Sequence, residues 1–160
     1  MCIRDREGRR KNGSRQHYST YCPLDNRQYG FRKGRGTEEA IHKALGYYRA
    51  NSSKHKIVAA ISLNIKGAFD HACWDVILAS LEKAAVPQYL YRCISTYFEG
   101  REVHCQGLSQ TLERGCPQGS VLGPALWNIL YDIVITSLAE KYPDLCVYAD
   151  NTLLIVGAPQ

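Results

Sequence analysis

The 160-residue chain is 45% hydrophobic and 22% charged, which is enough for one compact domain and too short for two. Its formal net charge of +5 is uneven: residues 1–36 hold ten Lys and Arg against three acidic side chains, so the remainder sums to −2. The seven cysteines (Cys2, Cys22, Cys73, Cys93, Cys105, Cys116 and Cys146) are odd in number and lack C-x-x-C spacing, which argues against a disulfide framework or a zinc knuckle and for a reducing compartment.

The start, MCIRDREGRRKNG, has no apolar stretch of the kind a secretory signal needs, and no apolar run approaches membrane-spanning length. The composition predicts a soluble protein of the cytoplasm or nucleus. Residues 1–27 read as a basic, poorly ordered leader. Charge alone fits a solvated tail or the electrostatic footprint of a phosphate-bearing partner.

QYGFRKGRG (28–36) is a Gly-rich basic loop. Thr37 is the expected N-cap of a helix reaching about Ala50, with Glu38 and Glu39 in its first turn and Ile41, Ala44, Leu45 and Tyr48 on its inner face. IVAAISL (57–63) reads as a strand buried on both faces. Trp74, Ile77, Leu78 and Leu81 predict a helix that stops before Pro87. Pro87 suits the first turn of the next helix, whose inner residues are Leu90, Ile94, Tyr97 and Phe98, with Gly100 ending it. A small hairpin is expected at 102–106 and 110–115. Leu126, Leu130, Ile133 and Leu138 mark a long helix to about Lys141. LCVYA (145–149) and TLLIV (152–156) read as strands joined by a two-residue turn at Asp150–Asn151. This mixture of helices and antiparallel strands predicts an α+β fold.

Three stretches carry polar groups where chemistry would need them. SLNIKGAFDH (62–71) places Asn64 at the end of an apolar strand, where ligands meet a core. GCPQGSVLGP (115–124) is a Gly-rich loop ahead of a helix; Gly permits close backbone approach, and a helix N-terminus favours anions. VYADNTLLIV (147–156) is a hairpin that can present Asp150 and Asn151 together at a sheet edge.

The order of these stretches, together with QYGFRKGRGTEEAI, resembles the reverse transcriptases, most closely those of non-LTR (LINE-like) retrotransposons, from roughly Gln28 to Val156. The resemblance implies a right-hand polymerase palm, an antiparallel sheet backed by helices, with partial fingers across 28–160 and the thumb absent. It implies an RNA template, a DNA primer and deoxynucleoside triphosphates as partners, no membrane, and phosphoryl transfer assisted by two Mg²⁺ ions. It assigns the catalytic positions to Asn64, Asp150 and Asn151, with Asp150 the metal ligand. Ile65, Phe69, Gln118 and Gly119 fall on nucleotide-binding positions, Phe69 being the one that stacks under the incoming sugar. Arg32, Lys33, Arg35, Tyr148 and Ala149 fall on nucleic-acid-binding positions.

The chain departs from the family in its charges. The family's site uses three aspartates, and here Asn64 and Asn151 stand at two of those positions, leaving Asp150. Asp70 matches a separate, non-ligating aspartate. An amide oxygen can ligate Mg²⁺ but brings no charge. If each exchange forfeits about 3–4 kcal/mol of transition-state stabilisation, the pair lowers the rate by roughly 10⁴-fold or more. The expectation is therefore a polymerase fold with little or no polymerisation. The alternatives are a non-catalytic nucleic-acid-binding remnant and a reverse transcriptase of the group II intron type.

Overall fold

A computed structural model describes residues 21–55 and 57–158. Most of the expected leader, residues 1–20, lies outside them. From Cys22 onward the chain is already packed: Cys22 is buried in the main core, and the Asp25 N–H donates to Asp132 Oδ1 at 2.7 Å.

The elements run α1 (Thr37–Ser52), β1 (Val58–Asn64), α2 (Trp74–Lys83), α3 (Gln88–Phe98), β2 (Glu102–Cys105), β3 (Leu108–Thr111), α4 (Gly123–Lys141), β4 (Leu145–Tyr148) and β5 (Asn151–Gly157). The fold is α+β. Three strands form an antiparallel sheet in the order β1-β5-β4, and β2 and β3 form a separate hairpin.

Side chains alternate across a strand, so each face of the sheet meets a different layer. Leu145, Val147 and Leu154 point into the main core with Ile77 and Leu81 of α2, Ile94 and Phe98 of α3, and Leu126, Trp127 and Ile135 of α4. Cys146 points the other way, toward α1, and joins Tyr29 and Ala40 in a small second cluster. Its thiol donates to the Ala40 carbonyl at 3.4 Å.

Several expectations are corrected. β1 is not buried on both faces: it is an edge strand, paired only with β5, and every residue in it after Val58 is exposed. Its apolar run reflects strand propensity rather than enclosure. The inner face of α1 is turned by one residue, with Ala40 buried and Ala44 partly buried while Ile41, Leu45 and Tyr48 are exposed. Small side chains let this helix approach the sheet closely, and the larger residues fall outside the contact. Gly36, not Thr37, is the N-cap, and no side chain bonds there. In α4, Ile133 is 48% exposed, whereas Trp127, Asn128, Ile129, Tyr131 and Ile135 are buried.

Both hairpin turns differ from expectation. β2 and β3 are joined by Gln106–Gly107, both at positive φ (49° and 81°), the pattern of a type I′ turn. In the second hairpin the turn is Ala149–Asp150, and Asn151 is the first residue of β5, paired with Tyr148.

Candidate functional site

That one-residue shift has consequences for the site, because it moves Asn151 from the turn into the ladder. Asn151 is the direct partner of Asn64 on β1 and of Tyr148 on β4. Residues directly opposite in an antiparallel ladder project from the same face, so Asn64, Asn151 and Tyr148 form one row at the end of the sheet. All three are exposed, and Asp150, half-buried, sits in the adjoining turn. Residues 86 positions apart in the chain, 64 and 150, thus meet at one rim because β1 and β5 are paired along their whole length.

The turn is held from below. Ala149 takes φ 58°, a left-handed conformation that costs a non-Gly residue about 1–2 kcal/mol. Its backbone is held by the side chain of Gln28, which is 0% exposed. Gln28 Oε1 accepts from the Ala149 N–H at 3.1 Å and from the Gly30 N–H at 2.8 Å, and Gln28 Nε2 donates to the Ala149 carbonyl at 3.2 Å. Trp127 Nε1 donates to the same carbonyl at 3.2 Å, and Asn128 Nδ2 donates to the Gly30 carbonyl at 3.0 Å. The main chain adds a parallel bridge: the Tyr29 N–H donates to the Val147 carbonyl, and the Val147 N–H to that of Arg27. Gly30 lies so close to Ala149 that a Cβ there would overlap its backbone nitrogen. One position along β5, Thr152 is buried and its hydroxyl pairs with Tyr131 Oη at 2.8 Å.

The first and second motif stretches are stitched together beside this rim. The Cys116 N–H donates to the Phe69 carbonyl and the Gly115 N–H to that of Ala72, both at 2.8 Å, and Trp74 Nε1 donates to the Gly115 carbonyl at 2.8 Å. Gly115 takes φ 100°, and a Cβ on it would stand 3.1 Å from the Asp70 carbonyl oxygen. Phe69 is half-buried, 5.6 Å from the Trp127 ring and edge-on to Phe31 at 6.1 Å. Gln118 and Gly119 are exposed on the Gly-rich loop. Ile65 packs its side chain against the main core, so it offers a ligand chiefly its backbone. Ala149, 7% exposed, has its N–H and carbonyl engaged internally, whereas Tyr148 is 37% exposed.

The basic loop splits into two roles. Arg32 Nη1 donates to the carbonyls of Asp25 (2.6 Å) and Gln28 (3.2 Å), and burial, with Arg35 nearby, pulls its pKa down. Arg35 bonds the backbone carbonyl and side chain of Asn26, and its guanidinium lies 5.1 Å over the Tyr29 ring. Both arginines hold the loop's own shape, while Lys33 is exposed.

The donors at the rim do not fit a pair of divalent cations. Two are neutral amides and one is a carboxylate, and the described residues contain no group of three or more His, Cys, Asp or Glu able to hold a metal. Among the described residues two surface cavities measure about 340 Å³, beside Asp25 and Asp132, and about 640 Å³, between Trp74, Phe98 and Arg114. Asn64, Asp150 and Asn151 line neither of these two.

Sequence reasoning missed Gln28, Gly30, Trp127 and Asn128 as parts of the site. Asn128 carried a signal, being a lone amide inside the apolar run LWNIL. Gln28 carried none, since a Gln beside a basic loop reads as solvated.

Residues 14–160 match the family described as reverse transcriptase (RNA-dependent DNA polymerase). The chain is 35% identical over 134 residues to a 115 kDa protein in type-1 retrotransposable element R1DM of Drosophila melanogaster, covering 81% of this chain and 12% of that protein. It is 30% identical over 138 residues to the RNA-directed DNA polymerase from mobile element jockey of Drosophila funebris, covering 80% and 15%. The chain therefore spans roughly an eighth of the length of such relatives. A truncated apo telomerase from Candida tropicalis shares the fold with a TM-score of 0.53 at 13% identity, over 82% of this chain and 30% of that one. Among the described residues no helix is long and apolar enough to cross a membrane.

Proposed function

The chain belongs to the reverse transcriptase (RNA-dependent DNA polymerase) family, and from that premise we propose that it is a palm with partial fingers that holds an RNA template and a DNA primer at the rim of Asn64, Asp150 and Asn151 without extending the primer. The observation that carries this reading is the Asn64–Asn151 pair. The two positions that would supply charge beside Asp150 face each other as amides. One carboxylate cannot balance two divalent cations and a triphosphate, and water solvates the ions better than this rim does.

Binding does not need those charges. The exposed row of Asn64, Asn151 and Tyr148, the exposed Gln118–Gly119 loop, Phe69 and Lys33 offer hydrogen bonds, an aromatic platform and a cation to a sugar-phosphate backbone and its bases. The deoxynucleoside triphosphate would lie against Phe69 and the Gly-rich loop.

Primer extension and gel shift on one labelled RNA–DNA hybrid test this. The expected result is a shift that weakens with added salt, and no extension with Mg²⁺ or Mn²⁺. Clear extension by the chain as it stands would overturn the silent-site reading. Absence of any shift at low salt would overturn the binding reading as well.

A further inference from the structure

The polar cluster under the hairpin goes beyond the residues that the family resemblance assigns. Its centre, Gln28, stands 121 positions before Ala149, is fully enclosed, and bonds both the N–H and the carbonyl of that single residue. Within the turn, Ala149 alone takes a positive φ, and Asp150 follows it directly. The geometry needs a carboxamide: an acceptor reaching two N–H groups, and a donor on the same planar group for the carbonyl. Leu or Met would match the volume and leave three backbone groups without that partner in a dry place.

We propose that Gln28 is a positioning residue for Asp150: its carboxamide locks Ala149 in the left-handed conformation and so sets the direction in which the turn presents the Asp150 carboxylate. Asn128 and Trp127 complete the lock from α4, Asn128 by holding the Gly30 carbonyl and Trp127 by sharing the Ala149 carbonyl. The segment 25–30 thereby links the basic loop to the rim. Arg32, which bonds the Gln28 carbonyl, belongs to the same unit. This assignment rests on the reading of Asp150 as the surviving carboxylate of the site.

The test is residue-resolved amide hydrogen exchange and Asp150 side-chain coupling constants on the whole chain, in the parent and in Gln28→Ala and Gln28→Glu. In Gln28→Ala the Ala149 and Gly30 amides are expected to exchange about tenfold faster or more, and the Asp150 side-chain couplings to move from their parent values toward rotamer averaging, while Leu154 at the centre of β5 keeps its protection. A protonated Glu is nearly isosteric with Gln and offers the same acceptor and donor. Gln28→Glu should therefore restore protection and the Asp150 rotamer at mildly acidic pH and lose both as the carboxyl ionises. Burial raises that transition, the negative charge of Asp150 next in chain to Ala149 adds to the rise, and the Arg32 guanidinium on the Gln28 carbonyl opposes it.

Unchanged exchange at Ala149 in Gln28→Ala would overturn the proposal. If that variant loses protection at Leu154 as well, the Gln28→Glu series decides: a pH-dependent recovery supports the lock, and a flat profile sinks it. An Asp150 rotamer indifferent to a loosened Ala149 would also overturn the positioning role. A parent chain that binds no hybrid would defeat the functional reading while leaving these amide results as they are.

Discussion

Asn64 and Asn151 are direct partners across the β1–β5 ladder, both exposed, at the end of the sheet that carries Asp150. Placing carboxylates at both positions tests what the amides have removed. Asn64→Asp with Asn151→Asp sets like charges opposite each other, which should destabilise the fold by about 0.2–1 kcal/mol. Millimolar Mg²⁺ should reverse that loss in the double variant and leave the parent's unfolding midpoint unmoved at matched ionic strength. Thermal unfolding with and without Mg²⁺ measures both, and a specific Mg²⁺ response in the parent would contradict the poor fit argued for its donors.

Gly30 is required by contact rather than by its own dihedral angles. A Cβ at this position overlaps the Ala149 backbone, which cannot move without breaking the bonds to Gln28 and Trp127. Gly30→Ala should cost about 1–3 kcal/mol, the usual range for overpacking a close contact. The shift in urea midpoint at constant slope reads it. Gly34→Ala serves as the control for conformational cost alone, because an added Cβ there meets nothing within 4 Å while φ is 73°.

Arg32 and Lys33 are neighbours with separable effects. Arg32→Met keeps the stem and removes two charge-assisted bonds to carbonyls, so it should lower stability by about 1–2 kcal/mol. Lys33→Ala should leave stability unchanged. If Lys33 meets a phosphate, its loss reduces the slope of log binding constant against log salt by about 0.7–0.9. Salt titrations of hybrid binding, paired with urea melts, distinguish the two.

Asp132 supplies a pH signature. Burial raises its carboxyl above the ordinary range, while the Asp25 N–H bond pulls in the other direction. A carboxyl with a raised folded pKa holds its proton more tightly when folded, so its contribution to stability is greatest below the unfolded value and declines as pH climbs through the folded one. Asp132→Asn keeps an acceptor for Asp25 and removes that decline. It should be more stable than the parent at neutral pH, with the gap closing below about pH 4. Urea melts across this range measure it, and a gap that widens toward acid would contradict the burial account.

The cysteines report packing at the two faces of the sheet. Burial pushes the Cys116 and Cys146 thiols up to about 11, while Cys73, Cys93 and Cys105 are exposed. A disulfide-exchange reagent at neutral pH should modify the exposed three promptly and reach Cys116 and Cys146 only on unfolding. Mapping the modified residues by mass spectrometry gives the order.

Local pattern was enough for the elements whose burial follows from large apolar residues at helical spacing. α2 and α3 lie where Ile77, Leu81, Leu90, Ile94 and Phe98 put them, and these residues are buried as expected. It was not enough for α1, whose contact face is made by Ala40 and Ala44. Periodicity counts large side chains, whereas close packing on a sheet favours small ones. Nor could it tell an edge strand from a central one in β1, because β-branched residues suit both and only the neighbours differ.

The linear order of residues was sufficient for the family, since the motif stretches can be read without coordinates, and it is also what proposes Asn64, Asp150 and Asn151 as the site. Long-range contact was needed to set the register of the second hairpin. Its turn begins at Ala149 because a buried Gln far upstream satisfies that residue's backbone, and no local preference for Asp-Asn over Ala-Asp turns reports a bond formed across 121 positions of chain.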